Sequence, residues 1–430
     1  MENRYDKYKD SGIAWIGEIP EHWDTYQLKR CSKFINGYAF NSNHFNKDKG
    51  IPVIRIGDIL NEQISFENIV YVQENNELEK FMAHKNDILI AMSGATVGKI
   101  GIYSTEDKVY INQRVGIIRT IQYNFIKRMF TTNGFVDYVN LSSAGSAQPN
   151  ISSEEILNFY IPAPSIKEQQ LIATYLDQKC SEIDELITMQ EEMITKLQSY
   201  KQSVITEAVT KGLDKNVPLK DSGIEWIGKI PEHWDVKRLK YFGNNYNGLT
   251  YSPNDICNSQ EGTIVLRSSN IKDNKLCFDD NVYVNKEIPT KLFVNKGDIL
   301  ICSRNGSASL IGKAALIETD IKATFGAFMM IFKGNNIHHK YLYYIVTSCI
   351  SQYKWLFTTA TINQLTSSML GEIFAPFICD RLEQQSIADY LDQKCSEIDE
   401  LISIKQQKIE KLKDYKKSLI FECVTGKRKV

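Results

Sequence analysis

The chain has 430 residues, more than one hydrophobic core usually supports, so we expect two or three domains. Its composition, 43% hydrophobic and 24% charged, excludes a disordered or collagen-like chain. The 51 basic residues are balanced by 52 acidic ones, so any contact with nucleic-acid phosphates must come from local patches of positive charge.

No apolar run reaches the roughly 18 residues that a membrane-spanning helix needs. The opening stretch, MENRYDKYKD, is polar and charged, so we expect no secretory signal and a cytoplasmic protein. The nine cysteines form no C-x-x-C pair, and we expect reduced thiols with no zinc site.

In chain order, the first feature is a frame, KDSGIAWIGEIPEHWDTYQLKR, that begins at Lys9. A second copy, KDSGIEWIGKIPEHWDVKRLKY, begins at Lys220 and is identical at sixteen of 22 positions. His22 and His233 lie in these frames, where we expect them to pack beside Trp23 and Trp234 without binding a metal.

Each frame is followed by a variable stretch of mixed helical and strand character. Short strands are predicted at 53–56, 87–92, 115–119, 264–267, 298–302 and 327–332. One helix is predicted over 125–139 and another over 339–355. Loops rich in Gly, Asn and Ser join the strands, and their polar residues differ between the two copies.

A second match follows each variable stretch. EQQLIATYLDQKCSEIDELI begins at Glu168, and its copy at Glu383 differs at only two of 20 positions. Neither stretch contains Pro or Gly, and apolar residues recur at alternating steps of four and three, which predicts coiled-coil helices. The predicted seam consists of Leu176, Ile183, Ile187, Ile194 and Leu197, and of Leu391, Ile398, Ile402, Ile409 and Leu412.

The direction of the helices follows from the chain between them. The link from 211 to 218 is too short to carry the chain back along a helix of roughly 65 Å. We therefore predict an α+β architecture in which two globular domains are joined by two long antiparallel helices, with a pseudo-two-fold repeat. The predicted boundaries are 1–165 for the first frame and variable domain, 166–212 for the central helix, 213–381 for the second frame and variable domain, and 382–430 for the final helix.

The variable loops carry residue types that read DNA. Arg can donate two hydrogen bonds to guanine, Asn or Gln can pair with adenine, and Lys can bind phosphate. The candidates are Arg55, Ser93, Thr96, Lys99, Gln113, Arg114, Gln148, Asn150, Arg267, Arg304, Asn305, Ser307, Lys313, Asn363 and Gln364. For any one of them, ordinary turn chemistry or a solvated side chain is the competing interpretation.

Catalytic and nucleotide-binding patterns are missing from the sequence. SGATVGKIG resembles a P-loop, but only three residues separate Gly94 from Gly98, and Ile100 stands where a magnesium-binding Ser or Thr should be. The second copy has five residues between its glycines, a change that a phosphate cradle would not tolerate. No methyltransferase loop of the Asp-Pro-Pro-Tyr type is present.

The layout resembles the specificity subunits of type I restriction–modification enzymes over essentially the whole chain. The resemblance rests on SGIAWIGEIPEHWD, on DILIAMSGATVGKIG, on IPAPSIKEQQLIATYLDQKCSEID and on the duplication itself. The second copy departs from it at the domain–helix junction, where FAPFICDRLEQQ replaces the two-proline IPAPSIKEQQ.

The resemblance implies a non-catalytic subunit. Each variable domain would read one half of a bipartite site in double-stranded DNA, and the helices would set the spacing and dock two methyltransferase subunits. Two motor–nuclease subunits would complete the assembly, and AdoMet, ATP and Mg²⁺ would belong to these partners. Two alternatives stay open: a stand-alone bivalent DNA-binding regulator, and an enzyme with an active site hidden in a variable half.

Overall fold

The computed structural model describes residues 4–60, 62–143, 148–258, 261–356 and 364–430. The chain divides into two compact units, of which unit 1 comprises Met1–Glu191 with Gln406–Val430 and unit 2 comprises Glu192–Lys405. Each unit therefore contains one variable half together with parts of both long helices. No helix within the described ranges is long and apolar enough to cross a membrane.

The first half of the chain is built from short strands and four α-helices. Its strands are β1 (Tyr8–Asp10), β2 (Glu18–Pro20), β3 (Asp24–Gln27), β4 (Lys33–Asn36), β5 (Ile51–Ile54), β6 (Ile59–Leu60), β7 (Gln63–Ile64), β8 (Val70–Val72), β9 (Met82–Ala83), β10 (Ile88–Ala91), β11 (Ile100–Ile102), β12 (Val109–Ile111), β13 (Val115–Arg119) and β14 (Tyr160–Ala163). Its helices are α1 (Tyr123–Met129), α2 (Asn133–Ser142), α3 (Ser153–Asn158) and α4 (Ile166–Lys211).

The second half repeats this order of strands with fewer helices. Its strands are β15 (Leu219–Asp221), β16 (Lys229–Pro231), β17 (Asp235–Arg238), β18 (Gly243–Asn247), β19 (Ile256–Cys257), β20 (Thr263–Leu266), β21 (Ile271–Lys272), β22 (Lys275–Leu276), β23 (Val282–Val284), β24 (Ile299–Cys302), β25 (Ala314–Leu316), β26 (Ala323–Phe325), β27 (Met329–Gly334) and β28 (Phe374–Phe377). Its helices are α5 (His339–Gln352), α6 (Ser367–Glu372) and α7 (Arg381–Val424).

Two four-stranded sheets form the centre of each half. In unit 1 their strand orders are β11-β10-β13-β4 and β8-β5-β12-β9, and in unit 2 they are β18-β27-β24-β25 and β19-β23-β20-β26. The strands pair antiparallel except for β12 with β5 and β26 with β20, which are parallel. The two units share the first sheet and the three strands β8-β5-β12 or β23-β20-β26 of the second, which differs only in its fourth strand, β9 beside β12 or β19 beside β23, so the repeat seen in the sequence is also a repeat of structure.

The central strand β10 shows why its sequence is a continuous apolar run. Ile88 and Ile90 pack against the helices, while Leu89 and Ala91 face the core between the two sheets. Both faces of the strand are buried, so no alternation with polar residues is required. The equivalent strand β24 divides its side chains in the same way, with Ile299 and Ile301 in one core and Leu300 and Cys302 in the other.

The long helices pack antiparallel within each unit, as predicted. In unit 1, Lys416 of α7 reaches Asp184 of α4 at 2.7 Å, and in unit 2, Lys201 of α4 reaches Asp399 of α7 at 2.6 Å. Residue numbers rise along one helix as those of its partner fall, which only an antiparallel pair allows. Lys201 and Lys416 follow Leu197 and Leu412 at the four-residue step of the seam, and both extend to carboxylates of the partner helix.

The predicted seam residues differ in burial along the helices. Those that lie in the cores or are otherwise buried are Leu176, Ile183, Leu391, Ile398 and Ile409. Those that are half-buried are Ile187, Ile194, Leu197, Ile402 and Leu412. The polar seam residue Gln190 is also buried, at 4% exposure.

Each long helix ends against the tryptophan of a frame. Gly426 closes α7 with φ +71°, and a Cβ at this position would lie 2.9 Å from the ring of Trp23. Gly212 closes α4 with φ +73° beside Trp234 in the same way. Tyr8 donates a hydrogen bond of 3.1 Å to the Gly426 carbonyl, so residues near the start and the end of the chain meet in unit 1.

The single helix predicted over 125–139 is wrong. The chain forms α1 and α2 there, with a break at 130–132. The Thr132 side chain accepts a hydrogen bond from the backbone N–H of Phe135 and thereby starts a new helix. Gly134 lies so close to Trp15 that a Cβ would come within 2.4 Å of its ring, which keeps α2 tight against the frame.

Candidate nucleic-acid interface

In each unit the exposed polar candidates cluster where three backbone segments meet. These segments are the loop after β10 or β24, the turn before β13 or β27, and the segment before α3 or α6. In unit 1, Met92 donates to the carbonyl of Arg114, and Ile151 donates to the carbonyl of Met92, both at 2.9 Å. In unit 2, the matching donors are Ser303 and Leu365, at 3.0 and 2.8 Å.

The site of unit 1 brings together Ser93, Arg114 and Asn150. Ser93 forms an antiparallel bridge with Asn150, and the Arg114 guanidinium donates from Nη1 to the Ser93 hydroxyl at 3.4 Å. Arg114 and Asn150 are exposed, as are their neighbours Gln113 and Gln148. These four side chains stand around one backbone bridge, which is an arrangement suited to reading base edges.

The site of unit 2 contains Arg304 and Gln364 in an equivalent bridge. The exposed Arg304 guanidinium lies 5.8 Å from the ring centroid of Phe328. Asn305 donates to the Ser268 hydroxyl at 3.3 Å and accepts from the backbone N–H of Ser307 at 3.0 Å. An open cleft of about 1100 Å³ adjoins them, lined by Arg304, Asn305 and Phe328 among others.

Two predicted arginines are held by their own domain. The Arg55 guanidinium donates to the Asn68 carbonyl at 2.7 Å and to Asp58, and Arg267 donates to the Asp280 carboxylate at 2.8 Å. Both residues also open a short 3₁₀ turn. Arg55 ties the end of β5 to the loop that follows it, and Arg267 does the same for β20. Arg267 also lines the cleft of unit 2.

The remaining candidates lie in the loops before β11 and β25. Lys99 is exposed, and the buried hydroxyl of Thr96 has no hydrogen-bond partner in the described part of the chain. Lys313, the counterpart of Lys99, donates to the Ile271 carbonyl at 3.1 Å and is half-buried. Asn363 lies outside the described residues.

A partly buried ion pair joins two neighbouring strands of each unit at the ends opposite to the interface. In unit 1, Arg119 makes a bidentate contact to Asp87, with its closest distance at 2.7 Å, and this hydrogen bonding raises the pKa of Arg119. In unit 2, Lys333 lies 3.3 Å from Asp298, and burial raises the pKa of Asp298 despite that ammonium group. The two pairs join equivalent strands, β10 with β13 and β24 with β27.

Sequence reasoning missed Phe328, whose side chain is 62% exposed at the rim of the cleft. The residue was included in a predicted strand, but β27 begins one residue later. Aligning YINQRVG with TFGAFMM would have placed Phe328 at the position of Arg114 and indicated its location in the turn.

A comparison with known protein families decides what these two units are. The family model described as type I restriction modification DNA specificity domain matches residues 20–196 and again 231–414. The chain belongs to this family. The two matches coincide with the two copies of frame, variable stretch and helix, so the family domain occurs twice.

One curated specificity subunit aligns with nearly the whole chain, and another aligns with about three quarters of it. A putative type I restriction enzyme MjaX specificity subunit from Methanocaldococcus jannaschii is 27% identical, and the alignment covers 96% of both chains. The EcoBI specificity subunit of Escherichia coli is 26% identical over 73% of this chain and 66% of its own length.

A solved structure shares the fold. It comes from work titled as the structural basis of complex assembly and conformational transition of the type I R-M system, and it superimposes with a TM-score of 0.73. The match covers 94% of this chain and 98% of the other, at 14% sequence identity.

Proposed function

We propose that this chain is the DNA specificity subunit of a type I restriction–modification complex, and that each recognition domain reads one half of a bipartite duplex site. The observation that carries this proposal is that both units repeat the same main-chain hydrogen bonds around different exposed side chains. Ser303 and Leu365 repeat the hydrogen bonds of Met92 and Ile151 while the exposed residues beside them change. A split, asymmetric DNA target requires two recognition domains that share a scaffold and differ in their exposed residues.

The long helices are proposed to set the distance between half-sites and to dock two methyltransferase subunits. Apolar side chains that remain exposed on them include Leu171, Met189 and Tyr200 on α4 and Leu382 and Ile404 on α7. Exposed apolar side chains on otherwise polar helices favour a protein partner. Two motor–nuclease subunits would complete the restricting assembly, which we place in the cytoplasm with its DNA.

We propose that the chain itself is not catalytic and that AdoMet, ATP and Mg²⁺ are bound by its partners. The near-zero net charge supports this division, since the phosphate contacts of a long site would then be shared with other subunits. Purified chain should bind no AdoMet and should not cleave DNA. Either activity would refute a purely recognition role.

The decisive test is to map methyladenine in a genome that expresses this chain with its methyltransferase. A bipartite motif with a fixed gap is expected, because rigidly linked readers fix half-site separation. Replacing residues 25–165 with another recognition domain should change one half of the motif only. Changes in both halves, or a continuous motif, would contradict the proposal.

Inserting one heptad at matching points of both helices tests the spacing role. The insertion lengthens each helix by roughly 10 Å, about three base pairs of duplex, so the gap between half-sites should change. An unaltered gap would show that the helices do not determine it. A stand-alone regulator would instead bind the same motif without any associated methylation.

A further inference from the structure

Each recognition site contains one exposed arginine, which lies on the turn before β13 in unit 1 and on the loop after β24 in unit 2. Main-chain pairing defines the equivalence: Ala91 pairs with Val115 in unit 1, and Cys302 pairs with Met329 in unit 2. One residue before Val115 stands Arg114, whereas one residue before Met329 stands Phe328.

At the matching position of the loop, the arginine is in unit 2 and not in unit 1. Two residues after Ala91 stands Ser93, and two residues after Cys302 stands Arg304. Unit 1 therefore has arginine on the turn and serine on the loop, whereas unit 2 has phenylalanine on the turn and arginine on the loop. In both units the exposed guanidinium lies beside the residue at the other position, the Ser93 hydroxyl in one and the Phe328 ring in the other.

A carboxamide completes each site. Asn150 bridges Ser93, and Gln364 bridges Arg304, through the same antiparallel pairing of the loop with the segment before α3 or α6. A guanidinium and a carboxamide thus flank one backbone bridge in both units. Arginine recognises the O6 and N7 atoms of guanine, and Asn or Gln recognises the N6 and N7 atoms of adenine.

We propose that Arg114 and Arg304 are the guanine-reading residues of their half-sites, with Asn150 and Gln364 reading an adjacent adenine. This inference rests on the proposed function. A base contact is favoured over a phosphate contact for two reasons. Each guanidinium has one neighbour that orients its planar donor fork, the Ser93 hydroxyl or the Phe328 ring, and the side chain across the bridge is a neutral carboxamide, which supplies no charge to a phosphate.

The test uses the complex purified from its native host through a tag on this chain, and a pool of duplexes with randomised sequence. Bound duplexes are sequenced for the wild type and for Arg114→Ala and Arg304→Ala. Each variant should lose roughly 10- to 100-fold in preference at one guanine, and the two variants should affect opposite half-sites.

Matched controls are Lys108→Ala and Lys322→Ala, which remove exposed cations at the far ends of β12 and β26. Both should leave the selected motif unchanged. A loss of binding that is uniform over all sequences, with a salt dependence reduced by about one charge, would show that the arginines contact phosphate and would overturn the inference.

An exchange variant tests the positional equivalence directly. Arg114→Phe alone should lose the guanine preference, and adding Ser93→Arg should restore a large part of it, because the loop then supplies the guanidinium as it does in unit 2. No recovery in a double variant that still folds by circular dichroism would refute the equivalence.

The experiment distinguishes an error in the proposed function from an error in the assignment of the arginines. If the wild-type complex selects no motif, the proposed function itself is wrong. If it selects a bipartite motif that Arg114→Ala and Arg304→Ala leave intact, only the assignment of the arginines is wrong.

Discussion

Replacing Glu168 with Gln should destabilise unit 1 in a pH-dependent manner. Glu168 lies at the start of α4, where it joins the helix to the frame: the His22 ring nitrogen lies 2.9 Å from its carboxylate, and the Trp23 indole donates at 3.1 Å. The Ser165 hydroxyl also donates to it at 2.7 Å, as part of a capping interaction. Glutamine retains the shape but cannot carry the negative charge that strengthens these bonds.

The size of the effect follows from the acidity of the carboxyl group. Burial alone would raise its pKa, but the hydrogen bonds, that from His22 foremost, lower the pKa of Glu168 to about 2. A lowering of this size corresponds to about 3 kcal/mol of stability at neutral pH, and we expect roughly 2–3 kcal/mol because the side chain is 22% exposed.

The sign of the pH dependence is determined by the direction of the shift. Because the folded pKa lies below the unfolded one, the stabilisation is fully present above about pH 4.5 and is lost as the pH falls towards 2. The free-energy difference between wild type and Glu168→Gln should therefore shrink between pH 5 and pH 3.

Glu383→Gln provides a matched control in unit 2. Glu383 accepts from Trp234 at 3.0 Å and contacts His233 at 3.1 Å. At the start of α7, however, Asp380 stands where α4 has Ser165. The control should thus cost less than Glu168→Gln. Urea unfolding followed by hydrogen exchange in the peptides around each glutamate measures the two sites separately. Equal losses at both, or a loss at Glu168 that is constant from pH 7 to pH 3, would refute the reasoning.

Four further substitutions probe the Asp87–Arg119 ion pair, the helix ends and the seam by the same unfolding measurement. Asp87→Asn should cost about 2–4 kcal/mol, since it leaves the Arg119 guanidinium without its buried partner; a loss below 1 kcal/mol would contradict this. Gly426→Ala should cost about 2–4 kcal/mol, because it combines positive φ with a Cβ only 2.4 Å from a proline, whereas Gly212→Ala has a nearest neighbour at 3.2 Å and should cost about 1 kcal/mol; equal costs would show that crowding does not matter. Lys201→Ala removes a partly exposed ion pair on the seam and should cost less than about 1 kcal/mol, and a larger loss would assign the pair a real role in helix pairing.

Local patterns in the sequence were sufficient for the features that repeat. Two near-identical helical stretches without Pro or Gly predicted the long helices, and the short link between the halves predicted their antiparallel direction. Both inferences depend on periodicity and chain length, which tertiary contacts rarely override. The same reasoning failed at 125–139, because the cap at Thr132 and the contact of Gly134 with Trp15 outweigh an apolar period that continues across the break.

The roles of individual polar residues were decided only by the tertiary structure. Sequence alone could not show that Arg55 and Lys313 donate to backbone carbonyls of their own domain, because those carbonyls belong to loops that the fold brings alongside. Nor could it show that both arginines lie beside equivalent backbone bridges, since main-chain pairing matches Arg114 with Phe328 and Arg304 with Ser93. The sequence by itself determined the duplicated frame and the helices. The frame follows from sequence identity between the two copies, and the helices follow from the spacing of their apolar residues. The pairing of segments that are distant in the sequence decided which polar side chains are exposed at the candidate interface.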